Sequence, residues 1–229
     1  MRTVFDARRI RGIVFDLDGT LIDSYAAIAE SLNHALSGLS LDPLPAAKIR
    51  TMVGRGLETL IDSALGKATT PEKIALGVRL FRERYDLVGV AGTTLLPGVA
   101  ATLDNLAARG YRMAVATNKP SYFARRLLDA LGAGGHFASV MGPDCVAHHK
   151  PHPEMVFAAL AAIGLEADQA LYVGDMEIDV ETARNAGLPV VLVPTGSRTQ
   201  TDLVDAGADL LIPAISRLLD LLEDPVPVS

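Results

Sequence analysis

From Leu96-Pro97-Gly98 onward the chain alternates short strand-like runs with helix-like ones, and this alternation restricts the fold more than any other feature. Strand-like runs at 112–117, 138–141 and 170–174 are interleaved with helix-like runs at 121–131, 153–163 and 179–186, and two short strands are expected at 190–193 and 209–212. Such a rhythm predicts a mostly parallel sheet, because each helical crossover returns the chain to the same edge from which a parallel strand can start. Gly110, Gly132, Gly164 and Gly187 each follow a helical run, where glycine readily takes the left-handed conformation that ends a helix.

Upstream, Gly12-Ile13-Val14-Phe15 is a β-branched and aromatic run that reads as a buried strand, and it exits into Asp16-Leu17-Asp18. Residues 25–90 then change to a helical pattern, punctuated by turns at Asp42-Pro43 and Gly54-Arg55-Gly56. Thr70-Pro71-Glu72 marks a helix start, with Thr as cap and Pro in the first turn, where its missing N–H is harmless. The expected fold is therefore α/β: a doubly wound, mostly parallel Rossmann-like core formed by 1–23 and 92–229, with an all-helical cap inserted at 24–91. Residues 224–229, which contain prolines, are expected to form a mobile tail.

With 229 residues, of which 49% are hydrophobic and 21% charged, the chain is long and apolar enough to bury a core without disulfides. A formal charge of −6 gives no electrostatic reason to expect a nucleic acid or an anionic membrane as partner, so any phosphate pocket must be local. Arg2, Arg8, Arg9 and Arg11 lie near the start, but Asp6 interrupts them and no long apolar stretch follows, which argues against a signal peptide and for a cytoplasmic location. Cys145 is the single cysteine and reads as a small packed apolar side chain.

The chemistry-bearing residues cluster at predicted strand ends. Asp16 and Asp18 are one residue apart and precede Gly19-Thr20, where the chain can turn sharply around a ligand. Two carboxylates can hold Mg²⁺ through oxygen, and one of them can attack phosphorus once charge repulsion is screened. An isolated Asp-X-Asp, however, reads better as an acidic turn. Asp16, Thr117 and Asp175 are all expected beyond the carboxyl ends of strands, where ligands gather in such sheets. His148, His149 and His152 raise a zinc alternative, although their spacing supplies no complete ligand set and a polar loop is the better reading.

The longer pattern Asp16-Leu17-Asp18-Gly19-Thr20-Leu21 resembles the first motif of the haloacid dehalogenase superfamily. Residues 114–120, ending Thr117-Asn118-Lys119-Pro120, resemble its second motif; Lys150-Pro151-His152-Pro153 its third; and Val173-Gly174-Asp175-Met176-Glu177-Ile178-Asp179 its fourth. The resemblance implies a magnesium-dependent phosphatase with Asp16 as nucleophile and Asp18 as general acid and then base. It also implies Thr117, Asn118 and Lys150 as phosphate ligands. The Mg²⁺ would be held by Asp16, Asp175 and the Asp18 backbone carbonyl, with Gly19, Thr20 and Asp179 in support. Asp179 would orient Lys150 or a metal-bound water, Glu177 would face solvent or pack locally, and Lys119 has no assigned role.

Residues 51–60 of the expected cap, together with Thr117-Asn118-Lys119-Pro120, resemble phosphoglycolate phosphatases, which implies a small phosphorylated metabolite as partner. Arg55 is a candidate contact for a substrate carboxylate, or is simply solvated. A pyrophosphatase, a sugar-phosphate phosphatase and a β-phosphoglucomutase-like phosphotransferase remain alternatives, as does a catalytically silent regulatory or binding protein of the same fold. Asp18 argues against dehalogenase chemistry.

Overall fold

The structure, a computed structural model, describes residues 6–222; Arg2 and the expected tail at 224–229 lie outside the described residues. The chain opens with β1 (Gly12–Phe15) and β2 (Ile22–Asp23), followed by four helices, α1 (Tyr25–Gly38), α2 (Ala46–Met52), α3 (Leu57–Leu65) and α4 (Pro71–Val88). Then come β3 (Thr94–Leu95), α5 (Val99–Ala108), β4 (Arg112–Ala116), α6 (Ser121–Ala130), β5 (Ser139–Met141) and α7 (Glu154–Ile163). The remainder is β6 (Ala170–Gly174), α8 (Glu177–Ala186), β7 (Val190–Leu192), α9 (Gln200–Ala206), β8 (Leu210–Leu211) and α10 (Leu218–Leu221).

Six strands form one parallel sheet in the order β5-β4-β1-β6-β7-β8. β1 is central, and all four of its residues are buried because helices cover both faces. Ile13 and Phe15 face a cluster containing Leu103 and Leu106 of α5, Leu127 of α6 and Leu218 of α10. Val14 faces the opposite cluster, with Met155 and Leu160 of α7, Val180 of α8 and Leu203 of α9. The first cluster runs on into the helical insertion through Ile28, Leu60 and Phe81, so sheet and insertion share apolar packing.

The insertion leaves and re-enters the sheet through β2 and β3, which pair antiparallel with Ile22 opposite Leu95 and Asp23 opposite Thr94. α4 starts where the sequence predicts: the Thr70 side chain accepts a hydrogen bond from Lys73 N, and Pro71 lies in the first turn. The four glycines expected to end helices all have positive φ.

Gly77 of α4 lies against α3, where a Cβ would fall 2.7 Å from Ile61 Cγ2. Helix propensity alone favours alanine by about 1 kcal/mol, whereas overpacking costs about 1–3 kcal/mol, and a β-branched isoleucine yields little. Gly77→Ala is therefore expected to lower stability by up to about 2 kcal/mol, read as a lower urea midpoint at unchanged slope. A raised midpoint would show that the α3–α4 contact absorbs the methyl.

Candidate active site

Three adjacent strands deliver the chemistry to one edge of the sheet. Asp16 follows β1, and its N–H donates to Val173 O of β6 at 2.8 Å, extending the ladder by one residue. Thr117 follows β4 and is held by its N–H to Met141 O at 3.0 Å, while Asp175 follows β6. After Asp16 the chain folds back tightly: Leu17 O accepts from the N–H groups of Thr20, Leu21 and Ile22, and Gly19 turns with φ +91°. Lys150 arrives from the loop before α7. There the Glu154 carboxylate accepts from Ala147 N and His148 N, and Asn118 Oδ1 accepts from Lys150 N at 3.1 Å.

Lys150 Nζ donates to Asp16 Oδ1 at 2.7 Å, Asp179 Oδ1 at 2.8 Å and the Tyr172 hydroxyl at 3.1 Å, and Tyr172 in turn donates to Ala116 O. Burial alone would lower the ammonium's pKa, but the Asp16 and Asp179 carboxylates outweigh it and hold Lys150 well above its ordinary value. The other Asp179 oxygen accepts from Asp175 N and Met176 N, so this side chain both caps α8 and orients Lys150. Sequence reasoning missed Tyr172. A tyrosine within an otherwise apolar strand signals a hydroxyl that needs a buried partner.

Asp16, Asp175 and Asp179 each bring a carboxylate oxygen within 4.8 Å of the others. Both Asp179 oxygens are engaged, which leaves Asp16 and Asp175 as the carboxylates able to hold a cation. Asp175 Oδ1 accepts from Thr20 Oγ1 at 3.1 Å, whereas Asp175 Oδ2 is buried without a hydrogen-bond partner. Space beside that oxygen is kept by two glycines, since a Cβ would lie 2.5 Å from it at Gly19 and 1.6 Å from it at Gly196. Burial pushes Asp175 well above the ordinary carboxylate range, and the charges of Asp179 and Asp16 add to the effect. An orphaned buried oxygen within an all-oxygen donor set fits a hard divalent cation such as Mg²⁺.

Asp18 stands apart from this cluster. Ser24 Oγ donates to its Oδ1, and Lys119 Nζ reaches Oδ1 at 2.9 Å and Oδ2 at 2.8 Å. Lys119, which the sequence left unassigned, is thus a buried partner of Asp18. The Thr117 hydroxyl accepts from Lys119 N at 3.2 Å and keeps its proton for another acceptor. The Asn118 side chain is committed to backbone groups: Nδ2 donates to Gly54 O at 3.0 Å and Oδ1 holds Lys150 N, so its amide ties loops together. Asp16, Asp18, Thr117, Asn118 and Lys119 line a cavity of about 60 Å³ whose remaining wall includes Ile28, Val53, Leu57, Leu60, Phe81 and Tyr85.

Other expectations are corrected. Arg55 is not brought to the cavity: its guanidinium lies 3.8 Å from Glu177, its side chain is half-exposed, and the flanking Gly54 and Gly56 line the wall instead. Glu177 takes the second of its two expected placements and packs locally, because Arg198 clamps it through two bonds of 2.7 and 2.9 Å. Cys145 is exposed on a short turn rather than packed. The His148 and His152 rings lie tilted against each other near Glu154, and these three bring ligating atoms within 4.8 Å of one another on the loop, while the Glu154 carboxylate also closes the loop backbone.

Acids, an ammonium and a hydroxyl thus gather beyond the carboxyl ends of adjacent parallel strands, where open α/β sheets bind their ligands. The family model of haloacid dehalogenase-like hydrolases matches residues 13–193. A phosphoglycolate phosphatase of Rhodospirillum rubrum is 39% identical over 224 residues, spanning 95% of this chain and 92% of that protein. One from Yersinia pseudotuberculosis is 34% identical over 95% of each chain. Among solved structures, a predicted phosphoglycolate phosphatase from Haemophilus somnus matches with a TM-score of 0.86 at 30% identity, covering 93% of this chain and 98% of that one. CbbY from Rhodobacter sphaeroides in complex with phosphate matches with a TM-score of 0.80 at 26% identity, covering 93% and 99%. The chain belongs to the haloacid dehalogenase-like hydrolase family. Within that family it is a phosphatase, a phosphoric monoester hydrolase. Among the described residues no helix is long and apolar enough to cross a membrane.

Burial pushes the Asp16 carboxyl up to about 6; Lys150 opposes the rise, and Asp179 and Asp18 reinforce it. In cation-free protein, Asp16 is expected to take up a proton as the pH falls through about 6, read from ¹³C carboxyl shifts. Because this folded-state pKa exceeds that of the unfolded chain, the carboxyl's contribution to stability falls as the pH rises from about 4 to about 6. Lys150→Met removes the opposing ammonium and should move the titration higher; a lower value would show that Lys150 does not set it.

Proposed function

We infer that the protein hydrolyses 2-phosphoglycolate to glycolate and inorganic phosphate through an aspartyl-phosphate on Asp16. The observation that carries this reading is Asp16 held by Lys150 at 2.7 Å beside Asp175 and Thr117, at the ends of three neighbouring strands. The substrate follows from relatives named phosphoglycolate phosphatase and from a small cavity, which suits a short leaving group better than a hexose. Residues 1–23 and 92–229 act as the catalytic core, and 24–91 as a cap that walls the cavity and excludes water.

An Asp16 carboxylate oxygen attacks phosphorus while the bond from phosphorus to the ester oxygen breaks, and Asp18 delivers a proton to that departing oxygen. Asp18 then takes a proton from water, whose oxygen attacks phosphorus and displaces the Asp16 carboxylate, releasing phosphate. Lys150 and the Thr117 hydroxyl donate to the oxygens of the transferring group. Asp16, Asp175 and the Asp18 backbone carbonyl would hold Mg²⁺. Once bound, Mg²⁺ supplies charge neutralisation between nucleophile and phosphate.

Asp16→Asn is expected to abolish the covalent phosphoenzyme and lower kcat at least about a thousandfold while keeping the fold. Normal turnover by that variant would remove Asp16 from the role. Asp18→Asn should lower kcat by about 10²–10⁴. Across a panel with pyrophosphate, glucose phosphates and other small monoesters, 2-phosphoglycolate should give the highest kcat/KM. Preference for another member would change the substrate and leave the chemistry standing, whereas no phosphate release from pure protein on any member would favour a silent binding protein. Asp175→Asn should raise the Mg²⁺ concentration needed for half-maximal activity, and full activity after confirmed metal removal would refute the metal assignment.

A further inference from the structure

The cavity beside Asp18 is lined mainly by apolar side chains from the helical insertion, and among its lining residues Lys119 is the sole cation. Its ammonium has three donors, and the bonds of 2.9 and 2.8 Å to the Asp18 oxygens account for two. Facing it across the cavity wall, Tyr85 of α4 places its ring centroid 4.9 Å from Lys119 Nζ. Tyr85 is 2% exposed; its buried hydroxyl makes no hydrogen bond of regular geometry but lies close enough to Lys119 to raise the ammonium's pKa, so the phenol proton has no acceptor. A buried phenol whose proton has no acceptor, beside the ammonium that holds Asp18 and within an apolar wall, suits a second anionic group.

The chemistry of the leaving group places that anion. Asp18 protonates the ester oxygen, and in 2-phosphoglycolate the carboxylate carbon lies two bonds beyond that oxygen. A group that receives the carboxylate must therefore stand next to Asp18, where Lys119 stands and Arg55 does not. We propose that Lys119 Nζ and the Tyr85 hydroxyl together bind the carboxylate of the leaving group, one from the loop after β4 and the other from the helical insertion. This rests on the reading of the substrate as a carboxylate-bearing phosphate monoester. It assigns selectivity to two residues that touch the part of the substrate distant from phosphorus.

The test compares 2-phosphoglycolate with 2-hydroxyethyl phosphate, which replaces the carboxylate by a neutral alcohol of similar length, in the Mg²⁺-loaded protein. Lys119→Gln should reduce the ratio of kcat/KM values about tenfold to a hundredfold, the loss expected for one charge-assisted hydrogen bond. Tyr85→Phe, which keeps the ring in the core, should reduce it about three- to thirtyfold. A matching readout without turnover is calorimetric binding of 3-phosphonopropionate against propylphosphonate, where the parent's preference for the carboxylate compound should shrink in both variants. Equal losses on both substrates, with binding preference intact, would overturn the proposal and leave Lys119 as a positioning partner of Asp18. Loss of the ratio in Arg55→Ala but in neither of the other variants would also overturn it. If the parent shows no preference for 2-phosphoglycolate over 2-hydroxyethyl phosphate, the substrate reading fails by itself; if the parent prefers it and the variants keep that preference, only the Lys119–Tyr85 site fails.

Discussion

One ammonium, Lys150, holds the catalytic edge together. Withdrawing a charge from water costs several kcal/mol, and a site this dry keeps it only when geometry and partners are nearly ideal. Lys150 is 3% exposed and has two carboxylates within 2.8 Å and a phenol at 3.1 Å. Those partners come from the end of β1, the first turn of α8 and the middle of β6. Its own backbone is fixed to Asn118 in the loop after β4. Removing this one side chain would leave Asp16 and Asp179 as like charges in a buried space, so the same contact that orients Asp16 also offsets the repulsion between the two acids.

That contact can form because the sheet register brings its members level. Phe15 pairs with Val115 on one side and Val173 on the other, so Asp16 is level with Ala116 and Gly174, and Thr117 and Asp175 fall one residue further along their strands. A slip of one residue in either pairing would turn every side chain of the slipped strand to the opposite face, moving Ile13 and Phe15 out of one cluster or Tyr172 out of the other. The apolar periodicity of β1, β4 and β6 therefore fixes the catalytic geometry as firmly as the polar residues do.

How much of this was legible in the sequence depended on distance along the chain. Asp16, Thr117 and Asp175 could be placed because each follows its own short apolar run, and the glycine-ended helices implied that those runs pair in parallel. Lys150 was legible only through its motif, since nothing local shows that its ammonium turns inward. The Lys119–Asp18 pair joins residues 101 positions apart, and Glu177 meets Arg198 only after α8 and β7 have intervened. Arg55 was left between a substrate contact and solvent for the same reason: between Gly54 and Gly56, both at positive φ, the backbone path decides where the side chain goes, and composition does not report that path.

The charges of the site explain its demand for a counter-ion. Among the described residues, the ammoniums bonded to this acidic group of Asp16, Asp18, Asp175 and Asp179 are Lys119 and Lys150, so with all six ionised the carboxylates outnumber those ammoniums by two to one. A phosphate dianion adds to that excess, and the overall charge of −6 offers no long-range relief. Relief can come from protons, which is the direction in which burial pushes Asp16 and Asp175, or from a cation beside the unpartnered Asp175 oxygen. The two compete for the same carboxylates. A nucleophile must be ionised to attack, so only the cation relieves the repulsion while leaving Asp16 able to react. The arrangement that strains the metal-free site is thus the one that suits it to receive a divalent ion and an anionic substrate together.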